Sequence, residues 1–221
     1  MTPSIAVEQL GCRAGPRWLW SPATFALAPG VTVINGPSGS GKTTLLEVLS
    51  ALRRPDQGRV LWRGRRLAGS ALDDYRANRG YCPAARWEAR TMTVQSALQW
   101  AAVLWGVQRP VEHAIREQRR WGLCECAGER VASLSQGYQR RVLLAASLVM
   151  APAVWLVDRP FEALDLEGRV TLQTLLAAAM AGEPGVPRLV VMADAAPENL
   201  PASLHALPMS GSRLVLGRLS A

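Results

Sequence analysis

Val31-Thr32-Val33-Ile34-Asn35-Gly36-Pro37-Ser38-Gly39-Ser40-Gly41-Lys42-Thr43-Thr44 is the stretch on which the reading of this chain turns. Its first five residues form a short β-branched run suited to a buried strand. Thr43 to Leu49 carry apolar residues at helical spacing. Between them lies a glycine loop, and the order strand, glycine loop, helix is what a backbone nest for phosphate requires. The N–H groups at the helix start point at the anion. Gly36, Gly39 and Gly41 supply unusual backbone angles and close approach. Lys42 is expected to bridge β- and γ-phosphates, and the Thr43 hydroxyl to face Mg²⁺. The nucleotide-binding set is thus Gly36, Pro37, Ser38, Gly39, Ser40, Gly41, Lys42, Thr43 and Thr44. Lys42 is the only lysine among 25 basic residues; the rest are arginine, too wide and planar to reach between phosphate oxygens as a slim ammonium does.

Working outward, 221 residues with 49% hydrophobic content and no low-complexity tract favour one globular domain with a sizeable core. Val142 to Val157 is the longest apolar stretch; Pro152 breaks it, and it is too short for a membrane span. The N-terminus shows no basic region followed by a long apolar run, so a cytoplasmic location is expected. Cys12, Cys82, Cys124 and Cys126 match no paired CxxC spacing. With His113 and His205 the only histidines, no histidine-assisted zinc pattern is matched either, and free buried thiols are expected. The net charge of +8 comes from scattered arginines, which fits a solvated face, a nucleotide or an anionic membrane surface better than nucleic acid.

Ser4 to Leu10 and Thr24 to Ala28 alternate like strands, the second turning at Pro29-Gly30 into the loop strand. Pro55 to Gly58 is a turn into a strand at Arg59 to Trp62. From Tyr75 to Trp121 the pattern is helical, with Trp87, Trp100, Trp105 and Trp121 and no strong strand signal. Trp100 and Trp105 are expected in the core, and Trp87 is a candidate outward contact. A helix opens near Ser135 and ends before Pro152, Ala153 to Asp158 is a buried strand ending in a carboxylate, Leu166 to Met180 is helical, and Arg188 to Met192 is a further buried strand. Ser212 to Leu216 reads as an edge strand. Apolar strands alternating with helices predict a mostly parallel α/β sheet with ligands at the carboxyl ends of its strands.

Three further motifs carry a resemblance. Leu134-Ser135-Gln136-Gly137-Tyr138-Gln139-Arg140-Arg141 resembles the Leu-Ser-x-Gly-Gln signature of ATP-binding cassette (ABC) transporter ATPases, with Tyr138 where Gln is usual. Ala153 to Asp158 is similar to their Walker B strand, and Glu162-Ala163-Leu164-Asp165 to their D-loop. The resemblance covers nearly the whole chain. It implies a P-loop NTPase (RecA-like) α/β fold with an N-terminal antiparallel β part, a core over residues 1–80 and 141–221, and a helical subdomain over residues 81–140. It also implies ATP and Mg²⁺ as cofactors, with Asp158 joining Thr43 at the metal. Ser135, Gln136 and Gly137 would serve the site of a second cassette in trans, and a transmembrane permease would be a partner, which puts the chain on the inner face of the cell membrane.

The family's catalytic positions depart from its pattern. After the Walker B aspartate the family has a glutamate that acts on the attacking water, and here Arg159 stands; a guanidinium cannot accept a proton. The switch histidine falls on Asp194 and the loop glutamine on Ala84. The adenine-stacking aromatic would fall near Cys12 or Ala14, with Trp18 or Trp20 as substitutes. No catalytic residue is intact, and Glu162 is a weak substitute. The expectation is a non-hydrolysing cassette paired with a competent second one, a heterodimer in preference to a homodimer. The rivals are a soluble nucleotide-dependent regulator without a membrane partner and an unrelated P-loop kinase.

Overall fold

The structure is a computed structural model, and it describes residues 5–84, 91–194, 205–210, 213–214 and 217–218. Two sheets face one helix. The antiparallel sheet takes β1 (Ile5–Ala14), β2 (Arg17–Leu27), β4 (Gln57–Trp62) and β5 (Arg65–Arg66) in the order β2-β1-β4-β5. The other sheet is built on β3 (Gly30–Asn35), flanked by β8 (Leu189–Asp194), β7 (Val154–Asp158) and β6 (Arg79–Cys82) on one side and by β9 (His205–Ser210) on the other, all parallel. Two short strands, β10 (Arg213–Leu214) and β11 (Gly217–Arg218), add to β9 antiparallel.

Helix α1 (Lys42–Leu49) lies between the sheets, touching β1, β7 and β8. Its Leu45, Leu46, Val48 and Leu49 join Ile5, Val7 and Leu10 on one side and Val154, Leu156, Leu189 and Val191 on the other in one core. Because side chains alternate along a strand, Trp155, Val157, Val190 and Met192 face the opposite way. There they meet α5 (Gln136–Leu148) and α6 (Leu166–Ala181) in a second core. Burial on both faces explains the continuous apolar runs of β7 and β8. Between β6 and β7 come α3 (Val94–Leu104), α4 (Pro110–Arg120), a 3-10 turn at Val131–Ser133, and α5. The remaining helix, α2 (Ser70–Asn78), precedes β6.

Several expectations need correction. Arg79–Cys82, inside the stretch read as helical, is a strand paired in register with β7, so the sheet core includes Tyr81 and Cys82. Its four residues include an arginine and a glycine and give no apolar run. Gly80 is there because a Cβ would meet Ser147 O at 2.2 Å, which only glycine escapes. Strand β9 holds Pro208 and no β-branched residue, so periodicity did not announce it. Trp100 and Trp105 are 43% and 37% exposed rather than core. The buried face of α3 is the small-residue set Val94, Ala97, Leu98, Ala101 and Ala102, which leaves Trp100 off that face and puts Trp105 beyond the helix end. Of the cysteines, Cys124 is exposed and the other three are buried. Trp87 lies outside the described residues.

Candidate nucleotide site

The turn from β3 into α1 is shaped by glycine. Gly39 and Gly41 have φ of 78° and 95°, in the left-handed region, and a Cβ on Gly41 would sit 2.8 Å from the Trp20 ring. The loop closes on Lys42, whose Nζ donates to Gly36 O at 2.6 Å and Pro37 O at 3.0 Å. Helix α1 has no side-chain cap and no acidic residue in its first turn, so its leading N–H groups and positive end stay open to an anion.

Strand β7 ends at the same place. Asp158 is 1% exposed; its Oδ2 accepts from Thr43 Oγ1 at 2.7 Å, while Oδ1 is buried with no hydrogen-bond partner. Ser40 Oγ is likewise buried without one. A buried, half-satisfied carboxylate beside a threonine hydroxyl fits a hard cation, and the open loop fits a polyphosphate. The residues present therefore suit Mg²⁺ and a nucleoside triphosphate. Thr43 and Asp158 would hold the metal, which would neutralise phosphate charge.

A cleft of about 650 Å³ opens over the loop, from Ser38 to Thr44, and its rim is basic: Arg13, Arg53, Arg159 and Arg169 line it, with Glu162 the one acid among the described residues. Arg159 follows Asp158 with φ 46°; its N–H is held by Ala193 O at 2.8 Å and its guanidinium lies 3.3 Å from Glu162. Among the described residues, the one other carboxylate lining the cleft is thus engaged by the arginine that stands where the base was sought. Asp194 ends β8 in register with Asn35, so the main chain brings that position to the loop end of β3. Ala84 is exposed.

Sequence reasoning offered Trp18 or Trp20 for a nucleotide base, and the structure rules out Trp20. It is buried, its Nε1 donates to Leu10 O, and its ring lies against Gly41. The Trp18 ring is covered by the Arg13 guanidinium, 4.1 Å from its centroid. Cys12 is buried, and Ala14 lines the cleft without a ring. The residue that reaches the cleft is Arg13, fixed by an N–H donated to Asp56 at 2.9 Å and by Arg53 donating to its carbonyl at 3.1 Å. The one legible trace of it was an arginine five residues from a tryptophan across a Gly-Pro turn.

Ser135, Gln136 and Gly137 are not among the residues lining this cleft. Ser135 caps α5, accepting from Tyr138 N–H at 3.3 Å, and a Cβ on Gly137 would crowd Asp165 at 3.0 Å. Two arginines behind them tie the helix down, and motif reading assigned neither a role. Arg140 donates to Pro83 O, Asp158 O and Arg159 O at 2.8, 2.7 and 2.9 Å. Arg141 makes a two-pronged pair with Asp165 at 2.7 and 2.6 Å and reaches Glu167 at 2.8 Å. Burial opposes ionisation of Asp165, but the hydrogen bonds from Arg141 and from Gly168 N–H overcome it and hold the carboxyl below its usual range.

The sequence profile of the ABC transporter family matches residues 21–162. The cytochrome c biogenesis ATP-binding export protein CcmA of Alkalilimnicola ehrlichii is 37% identical over 179 residues, 79% of this chain and 75% of that one. A CcmA of Cupriavidus metallidurans is 35% identical over 175 residues, 78% and 82% of the two chains. Among solved structures, a nucleotide-free ATP-binding cassette from an ABC transporter superposes with a TM-score of 0.80 at 18% identity, covering 98% of this chain and 91% of that one. The cbiO1 protein from Clostridium perfringens, part of the transporter complex cbiONQ, gives 0.81 at 21%, covering 99% and 90%. With sequence and fold agreeing along most of its length, the chain belongs to the ABC transporter family as an ATP-binding subunit.

Proposed function

We propose that this subunit grips Mg-ATP as a clamp and hydrolyses it weakly or not at all in its own site. The observation that carries this is Arg159 at the end of β7, beside Asp158 and engaging Glu162, the one other carboxylate at the cleft among the described residues. Glu162 acts as counter-charge rather than base, and Arg159 adds a cation toward bound phosphate, which slows release. Lys42 and the open end of α1 hold the β- and γ-phosphates, while Thr43 and Asp158 orient the metal. The base lies on Arg13, whose planar guanidinium is backed by the Trp18 ring.

Ser135, Gln136 and Gly137 complete the site of a second cassette facing this one. Their positions away from the loop cleft support a head-to-tail sandwich, and the absence of an acid beside Asp158 supports a partner that keeps one, a heterodimer. The complex drives a membrane permease and lies on the inner face of the membrane. The CcmA relatives, named as export proteins in cytochrome c biogenesis, favour export in such a pathway. Among the described residues no helix is long and apolar enough to cross a membrane. An apolar surface at the end of α3, with Val103 and Leu104 exposed beside Trp100 and with Val111 on α4, favours a membrane partner over the soluble-regulator reading.

The test measures ATP binding and turnover by the purified chain and by Arg159→Glu. Tight Mg-dependent binding with negligible turnover, raised in the variant, is the expected result. Turnover by the wild-type chain at ordinary transporter rates, unchanged when Arg159 becomes Ala, would overturn the reading.

A further inference from the structure

We propose that the chain carries a second anion site, separate from the nucleotide cleft, which takes the phosphate group of an organic phosphate ester. The site is a cleft of about 540 Å³ between the C-terminal end of α1, the β4–β5 hairpin and the start of α2. Arg53, Arg54, Arg59, Arg66 and Arg76 line it, and no aspartate or glutamate does. Arg59 is drawn to Glu8 and Arg53 to the carbonyl of Arg13, but Arg54, Arg66 and Arg76 have no carboxylate partner among the described residues. Guanidinium groups lining one concavity repel one another, and a bound anion relieves that repulsion.

Ala68 and Gly69 form part of the wall, and Gly69 is the N-cap of α2, a nine-residue helix with no side-chain cap. The Ala71 and Leu72 N–H groups turn back onto Ala68 O and Gly69 O, at 3.2 and 3.0 Å, and Asp73 stands in the first turn, so the arginines are the donors this cleft offers, and they suit phosphate oxygens in two-pronged fashion. The apolar share of the lining, Val48, Val60, Leu67 and Leu72, gives the carbon part of an ester a place that bare inorganic phosphate would leave unused. Arg53 is the one residue this cleft shares with the nucleotide cleft, so the sites adjoin without merging.

Such chemistry comes from two sources, the headgroup of an anionic phospholipid or a soluble organic phosphate, and one experiment separates them. Binding of the full chain is measured to vesicles of phosphatidylglycerol in phosphatidylcholine, and by calorimetry to inositol hexakisphosphate. The double variant Arg66→Glu with Arg76→Glu is compared with a remote control of equal charge change, Arg119→Glu with Arg130→Glu, both exposed on the helical part. Unchanged melting temperature and ATP binding confirm that each variant folds. The cleft variant is expected to bind at least one probe about tenfold more weakly than wild type, with the control much less affected. Loss on vesicles alone assigns a lipid headgroup, and loss on the soluble probe assigns a free phosphate ester. Equal losses in the two variants, or no wild-type binding to either probe, would overturn the site.

Discussion

Thr43 Oγ1 donates to Asp158 Oδ2 across 2.7 Å, which fastens the first turn of α1 to the end of β7 and leaves the second carboxylate oxygen buried without a partner. Residues 115 positions apart thereby meet where the proposed cation would be held. Asp158→Asn keeps the Thr43 acceptor but loses the charge a divalent ion needs. ATP is expected to bind wild type about tenfold more tightly with Mg²⁺ than with chelator, and the variant to show no such gap. Equilibrium titration with and without chelator decides it.

Arg13 rests on Trp18 at 4.1 Å and faces the cleft over the loop. Arg13→Ala is expected to weaken ATP about tenfold while leaving tripolyphosphate, which has no base, nearly unchanged. Competition binding with both ligands checks this, and equal losses would mean that Arg13 acts only as a general charge.

Arg140 satisfies three carbonyls at once, at Pro83, Asp158 and Arg159. Arg140→Met keeps the stem and removes the donors, which takes the guanidinium from the buried Asp158 carbonyl while Glu162 N–H still reaches Arg159 O at 3.1 Å, and costs about 2 kcal/mol of stability. Denaturant unfolding measures the loss. A variant as stable as wild type would show that water replaces the guanidinium.

Glu117 is fully buried between Arg116 and Arg120, at 2.9 and 3.1 Å. Burial nonetheless outweighs both arginines and pushes its carboxyl above the ordinary value of 4.5. The folded chain then keeps a proton that the unfolded chain has already lost, so this group's contribution to stability falls as pH rises from 4.5 through the raised value. Glu117→Gln removes that slope. Unfolding free energies of the two proteins, compared between that pH and neutrality, should diverge in favour of the glutamine form as pH rises.

Sequence alone determined the glycine loop and its strand and helix, the capping serine of α5, the carboxylate ending β7, and the arginine that follows it. Each of these is contiguous: glycine angles, helical or alternating periodicity and residue chemistry act over a few neighbouring positions, so adjacent letters record them. Tertiary structure alone decided that Arg79–Cys82 joins the sheet, that Trp100 faces outward, that Trp20 is sealed beneath Gly41 while Arg13 takes the rim, and that Arg140 reaches a carbonyl 57 positions away. Those outcomes depend on which surfaces meet when two sheets close on α1. A buried polar group takes whatever partner that packing delivers, and no local pattern encodes the delivery.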